Sequence, residues 1–168
     1  MSVLLLSFSS RYSYLLRMES IWMLSSVLKR IFMFKVILCP EVRGTVKNKG
    51  VPLAGIEVTR SLVYSGKETL DTCKTSEDGS FSFPAKSERT LRTASIFHEV
   101  RVSQNIGINS DTDPVFFWSC IQRGKLPLPD VERMLLNLNV DISDEDKKYW
   151  LEGVDYAEPY GVRTLGKY

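Results

Sequence analysis

Few side chains in this sequence are suited to chemistry. Its 168 residues include one histidine, His98, and three cysteines, Cys39, Cys73 and Cys120. His98 sits beside Glu99 in the run Ile96-Phe97-His98-Glu99-Val100. A histidine next to a carboxylate can act as a base or as a metal ligand. Neighbouring residues of a strand point to opposite faces, however, so these two groups do not converge. A helical H-E-x-x-H pattern needs a second histidine, which the sequence lacks, so a structural or solvent-facing His98 is expected. The cysteines show no C-x-x-C spacing, which argues against zinc. Each falls in a predicted strand, and buried, unreactive thiols are expected. A Cys39–Cys73 disulfide is the alternative in an oxidising compartment.

The carboxylates read as turn and cap residues. Glu77, Asp78, Asp111 and Asp113 could approach a calcium ion at loop tips, but Asp111-Thr112-Asp113-Pro114 lacks the rest of a calcium loop. Turn-forming aspartates explain them more simply. Asp144, Glu145 and Asp146 suit the first turn of a helix. No G-x-S-x-G and no glycine-rich phosphate loop occurs. No metal, cofactor or catalytic residue is expected. Among the aromatics, Trp118 is expected in the core. Tyr149, Trp150, Tyr156 and Tyr160, in an acidic C-terminal segment, are the candidates for an exposed contact surface.

Composition narrows the classes. The chain is 43% hydrophobic and 25% charged, ordinary for a folded domain. Its 22 basic and 20 acidic side chains give a net +2, no electrostatic basis for binding nucleic acid. No run reaches the roughly 18 apolar residues of a membrane span. The charge is uneven: residues 1–35 carry Arg11, Arg17, Lys29, Arg30 and Lys35 against Glu19 alone. A cleaved signal fits this head poorly, because Val3-Leu4-Leu5-Leu6 precedes the first cation. Three further readings stand beside it: a basic amphipathic helix on an anionic membrane surface, a helix packed on the domain, or a start assigned upstream of Met18, Met23 or Met33. The expected division is an extension over 1–33, a β domain over 34–142 and a short helix with an irregular tail over 143–168.

The elements that would position any site are short strands. Phe34–Cys39, Val42–Val46, Ile56–Val63 and Thr69–Thr75 have β-type composition or alternation. Asp78-Gly79 predicts a hairpin between Thr69–Thr75 and Ser80–Phe83. Lys86–Thr93 reads as a solvated loop or edge. Ile96–Ile108 is β-type. Val115–Ile121 reads as a strand buried on both faces. Gly124, Pro127 and Pro129 break the chain, and Met134–Ile142 alternates again. Ser143 is expected to cap a helix over Asp144–Leu151. Seven or eight short strands predict an all-β sandwich.

One segment has a more specific pattern. "EVRGTVKNKGVPLAGIEV" followed by "TSEDGSFSFP" resembles the carboxypeptidase regulatory-like domains, which share a transthyretin-like Greek-key sandwich. The residues that carry the likeness are Gly44, Val46, Gly50, Pro52, Leu53, Gly55, Val58, Thr75, Asp78, Gly79 and Phe81. Pro52 fixes the backbone after a turn, and Asp78-Gly79 makes the corner that sets Phe81 in the core. The wider layout is similar to a group of small bacterial single-domain proteins. The resemblance implies binding or stability modules and carries over no catalytic residue. The expected function is therefore non-catalytic binding of a partner protein, for example by a bacterial accessory or immunity-type protein. A small-ligand or carbohydrate-binding module is the alternative, and a transthyretin-like hydrolase a remoter one. The expected location is the cytoplasm, with the periplasm or the inner-membrane surface as alternatives.

Overall fold

A computed structural model describes residues 33–91, 100–109, 114–152 and 160–166, the side chains of Leu91 and Tyr160 excepted. The expected N-terminal helix and Trp22, together with His98, Glu99, Asp111, Asp113 and Tyr156, lie outside the described residues.

Twelve strands and one helix are described: β1 (Met33–Cys39), β2 (Val42–Asn48), β3 (Val51–Pro52), β4 (Glu57–Tyr64), β5 (Lys67–Lys74), β6 (Ser80–Phe83), β7 (Lys86–Leu91), β8 (Arg101–Ile108), β9 (Val115–Arg123), α1 (Pro129–Leu135), β10 (Leu138–Asp141), β11 (Lys147–Leu151) and β12 (Tyr160–Thr164). Contacts divide the chain into two units, Met1–Phe34 with Arg89–Phe97 and Lys35–Glu88 with His98–Tyr168. Of the first unit, only residues of β1 and β7 are described, and these two strands pair with each other.

The second unit is predominantly β and holds two larger sheets. Six strands form an antiparallel sheet in the order β11-β12-β9-β8-β4-β5. In the other sheet β2 is central. It pairs in parallel with β10 and antiparallel with β3 and β6. The layers meet through Phe81 and Phe83 of β6. Phe81 packs against Phe117 of β9, with ring centroids 5.9 Å apart. Period-two alternation sets the inner faces: Val58 and Leu62 of β4, Val102 and Ile106 of β8, and Val42 and Val46 of β2 are all buried. This layering is that of a β-sandwich.

Two fully buried glutamines tie β1 to the six-stranded sheet. Gln104 Nε2 donates to the Leu38 carbonyl at 2.8 Å, and Gln122 Nε2 donates to the Ile37 carbonyl at 2.8 Å. Buried amides need such partners, and β1 supplies two of its backbone carbonyls.

Five expectations are corrected. The Asp144–Leu151 helix is absent: Lys147–Leu151 is strand β11, paired residue for residue with β12. Tyr149 and Trp150 favour extended chain, and the cross-strand ladder outweighs the acidic run before them. A helix exists instead at Pro129–Leu135, inside the segment read as broken by proline and then alternating. Pro129 occupies the helix start, where its missing N–H costs nothing. Val131, Met134 and Leu135 bury one face at helical spacing. The Asp78-Gly79 turn forms, but it joins strands of different sheets rather than a hairpin. Strand β9 is not buried on both faces, because Phe116 and Ile121 point outward. Finally, the strands number twelve among the described residues, because β3, β7, β11 and β12 form outside the segments read as strands, the last two in the stretch read as a helix and irregular tail.

The motif residues occupy turns and close approaches. Asp78 Oδ1 accepts from the Ser80 N–H at 3.0 Å and closes the turn before β6. Gly79 has φ +77°, and a Cβ there would lie 2.5 Å from the Val46 carbonyl oxygen. Gly44 faces Leu138, whose carbonyl oxygen would lie 1.9 Å from an added Cβ. Gly50, Pro52 and Gly55 flank the β2–β3 turn and the loop after it, and Phe81 is buried.

Candidate binding groove

Three clusters hold most of the chemically capable side chains. In the first, Arg60 is 1% exposed on the inner face of β4. Its Nε and Nη2 donate to Asp71 Oδ2, Nη1 donates to the Pro84 carbonyl, and the guanidinium lies over the Phe83 ring at 4.8 Å. Lys86 donates to the other oxygen of Asp71. Burial alone would raise the Asp71 pKa. The bonds from Lys86 and Arg60 outweigh it and hold the carboxyl below the usual range. Cys39 lies beside Arg60, and burial pushes its thiol up to about 11 despite that cation. Burial also raises Cys73. All three cysteines are free, and neither Cys39 nor Cys73 is a thiolate at neutral pH. Every strong donor of this cluster is committed to holding β4, β5 and the β6–β7 link together.

The second cluster is a clamp. Asp141, at the end of β10, accepts from the backbone N–H groups of Lys49, Gly50 and Ser143 and from the Ser143 hydroxyl. The Ser143 and Gly50 bonds hold its carboxyl well below the carboxylate range. Asp141 thereby anchors the β2–β3 turn. No group of three or more potential metal ligands occurs among the described residues.

The third cluster differs because it faces outward. The six-stranded sheet presents Leu70, Phe116, Ile121 and Trp150, each between 55% and 61% exposed, on its outer face. Register explains the placement. Ser103 and Arg101 of β8 stand opposite Ile121 and Arg123 of β9. Arg163 of β12 stands opposite Ser119 of β9 and Lys148 of β11. Trp150 stands opposite Gly161. The result is a groove of about 430 Å³, lined by Arg101, Arg123, Lys148, Arg163, Ile121 and Trp150 among others. The indole lies against Gly161, where an added Cβ would meet the Trp150 ring in ordinary van der Waals contact at 3.4 Å. Lys148 Nζ lies over that ring, 4.1 Å from its centroid. Arg163 is paired with Asp146 on the rim. No carboxylate lines the groove itself among the described residues.

The family described as Domain of unknown function (DUF6795) matches residues 42–145, more than half of the sequence. The chain belongs to that family. Comparison with curated proteins and with solved structures finds no match. The DUF6795 segment holds Arg101, Ile121 and Arg123, whereas Lys148, Trp150 and Arg163 follow its end. The groove is thus built half from the family segment and half from the hairpin β11–β12 beyond it.

Of the expected contact residues, only Trp150 is shown facing this groove. Tyr149 is half-buried, opposite buried Val162, on the other face of the same strand. Tyr160 pairs through its backbone with Leu151, and Tyr156 lies outside the described residues. Trp118 is fully buried in the core. Sequence reasoning missed the cations around Trp150. Lys148 and Trp150 share a face only if residues 147–151 are extended, and Arg101 and Arg123 meet them only through strand order. Among the described residues, no helix is long and apolar enough to cross a membrane.

Proposed function

We propose that this chain is a non-catalytic binding module that docks a partner protein on the outer face of its six-stranded sheet. The observation that carries the reading is the exposure of Leu70, Phe116, Ile121 and Trp150 on that single face. Apolar side chains gathered on one face mark interaction sites more often than scattered ones do. Support for a non-catalytic role comes from the other two clusters, whose carboxylates and thiols are engaged or held protonated. A bacterial accessory or immunity-type protein is the concrete form we favour. We also read the sandwich as transthyretin-like, on the strength of the Gly44-to-Phe81 motif.

The test is site-specific photo-crosslinking in the native host. A crosslinking residue at Phe116 or Trp150 should capture one protein of defined mass in stoichiometric yield. The same residue at Val51 or Leu136, exposed elsewhere, should not. Equal capture from all four positions, or none from any, rejects the docking face. A carbohydrate-binding role is less favoured, because the Lys148 ammonium already occupies a face of the Trp150 ring.

A further inference from the structure

Strand β5 ends the six-stranded sheet, and among the described residues no strand pairs with its outer edge. At eight residues it is longer than β11, the five-residue strand at the other end of that sheet. It holds no proline, and its ladder with β4 runs from Lys67 to Lys74 without a shift. Ser65 and Gly66, at φ 51° and 76°, form the two-residue turn that suits a β-hairpin. Such a turn is closed by a hydrogen-bonded pair, here Tyr64 with Lys67, and bonded and unbonded pairs alternate from there. Glu68, Leu70, Thr72 and Lys74 therefore aim their main-chain N–H and C=O groups away from β4. Their side chains share the outer face and are exposed, Leu70 at 61%. A long, regular edge with an apolar residue near its centre is a template for another strand.

We infer that β5 pairs antiparallel with β5 of a second copy of this chain, about a two-fold axis at Leu70, so that two six-stranded sheets join edge to edge. This goes beyond the docking-face reading and does not depend on it. Charge complementarity selects a second copy as the occupant. With Leu70 opposite its own counterpart, Glu68 stands opposite Thr72 and diagonal to Lys74 on the outer face. On the inner face Lys67 stands opposite Cys73 and diagonal to Asp71. Diagonal neighbours lie within reach of long side chains, and the two-fold axis repeats each pair. Lysines on an edge discourage indiscriminate pairing, and this register gives both of them an acid of the facing strand. A shift of two residues in one direction brings Asp71 opposite Asp71, a like-charge pair. The same shift in the other direction sets Glu68 against Leu70 and leaves Lys74 beyond the facing strand.

The experiment is sedimentation velocity on the full chain across the micromolar range, where a monomer–dimer equilibrium is expected. Leu70→Lys sets two cations at the axis and should weaken the dimer about tenfold or more. Thr72→Pro removes an N–H that points away from β4, so the hairpin keeps its own bonds while the dimer loses two, again about tenfold or more in affinity. Circular dichroism of both variants should match the parent. Glu68→Lys and Lys74→Glu should each weaken association, and the two combined in one chain should restore it to within about threefold of the parent. A chain that stays monomeric throughout, a dimer indifferent to Leu70→Lys and Thr72→Pro, or charge variants that do not rescue each other overturns the inference. So does native mass spectrometry of material from the host that finds one copy bound to a foreign protein and loses it in Thr72→Pro, since the edge then takes another chain's strand.

Discussion

Arg60 and Asp71 are cross-strand partners on the inner face of β4 and β5, and their bond is one-sided in its dependence. Arg60 is almost wholly buried, whereas the Asp71 side chain keeps about a quarter of its surface exposed. Asp71 has Lys86 as a second cation, but no other described carboxylate pairs with Arg60.

Removing the acid should therefore cost more than removing the base. Asp71→Ala leaves a buried guanidinium short of its counter-charge and should destabilise by about 2–3 kcal/mol in urea unfolding. Arg60→Met keeps most of the volume and leaves Asp71 with Lys86, so its loss should be smaller. The reverse order would show that packing on Phe83, not charge, dominates the site.

Acid should weaken the fold through two aspartates. Asp71 and Asp141 both titrate below the ordinary carboxylate value of 3.8 in the folded chain. Each contributes fully above the unfolded pKa, and the contribution is lost as pH falls through the folded value. Melting temperature should hold from pH 7 to about 5 on this account and fall below pH 4. Asp141→Asn should lower it at pH 7, and its difference from the parent should shrink as the pH is lowered. A constant difference down to pH 2 contradicts the clamp.

Gly44 and Gly66 separate crowding from backbone strain. Gly44→Ala drives a methyl into the Leu138 carbonyl, so β2 and β10 must part. A loss of at least about 2 kcal/mol is expected. Gly66→Ala meets nothing within 4 Å and bears only the penalty of φ +76°, about 1–2 kcal/mol. Chemical denaturation of the pair provides the comparison.

Thiol accessibility gives an independent check. Native protein at pH 8 should react slowly with iodoacetamide, with Cys73 labelled before buried Cys39 and Cys120. Three thiols should appear on unfolding. Rapid labelling of Cys39 would mean that the Arg60 cluster opens in solution.

Much of the sheet structure was legible because strands announce themselves by alternation. Val58, Arg60 and Leu62 show the period, and even the charged member turned out to face inward. What could not be read was which strand lies beside which. The Asp78-Gly79 corner looked like a hairpin because local turn chemistry is identical whether the next strand joins the same sheet or the facing one. The acidic run Asp144–Asp146 suggested a helix because its first-turn pattern is real. Only pairing with β12, whose partner residues lie nine to seventeen positions later, makes residues 147–151 extended. The groove was hidden for the same reason. Trp150 was visible as an aromatic in a polar stretch, but apart from Lys148 on the same strand its cations come from β8, β9 and β12.

Strand β2 holds partners from both ends of the DUF6795 segment. Thr45 bonds to Asn139 across 94 residues of sequence, in parallel register. A ribosome must therefore deliver β10 before β2 can complete its ladder, so one edge of an early strand waits open during synthesis. Long-separation pairing of this kind slows the search for the native state. A chaperone that shields that edge should speed maturation more than one that acts after release.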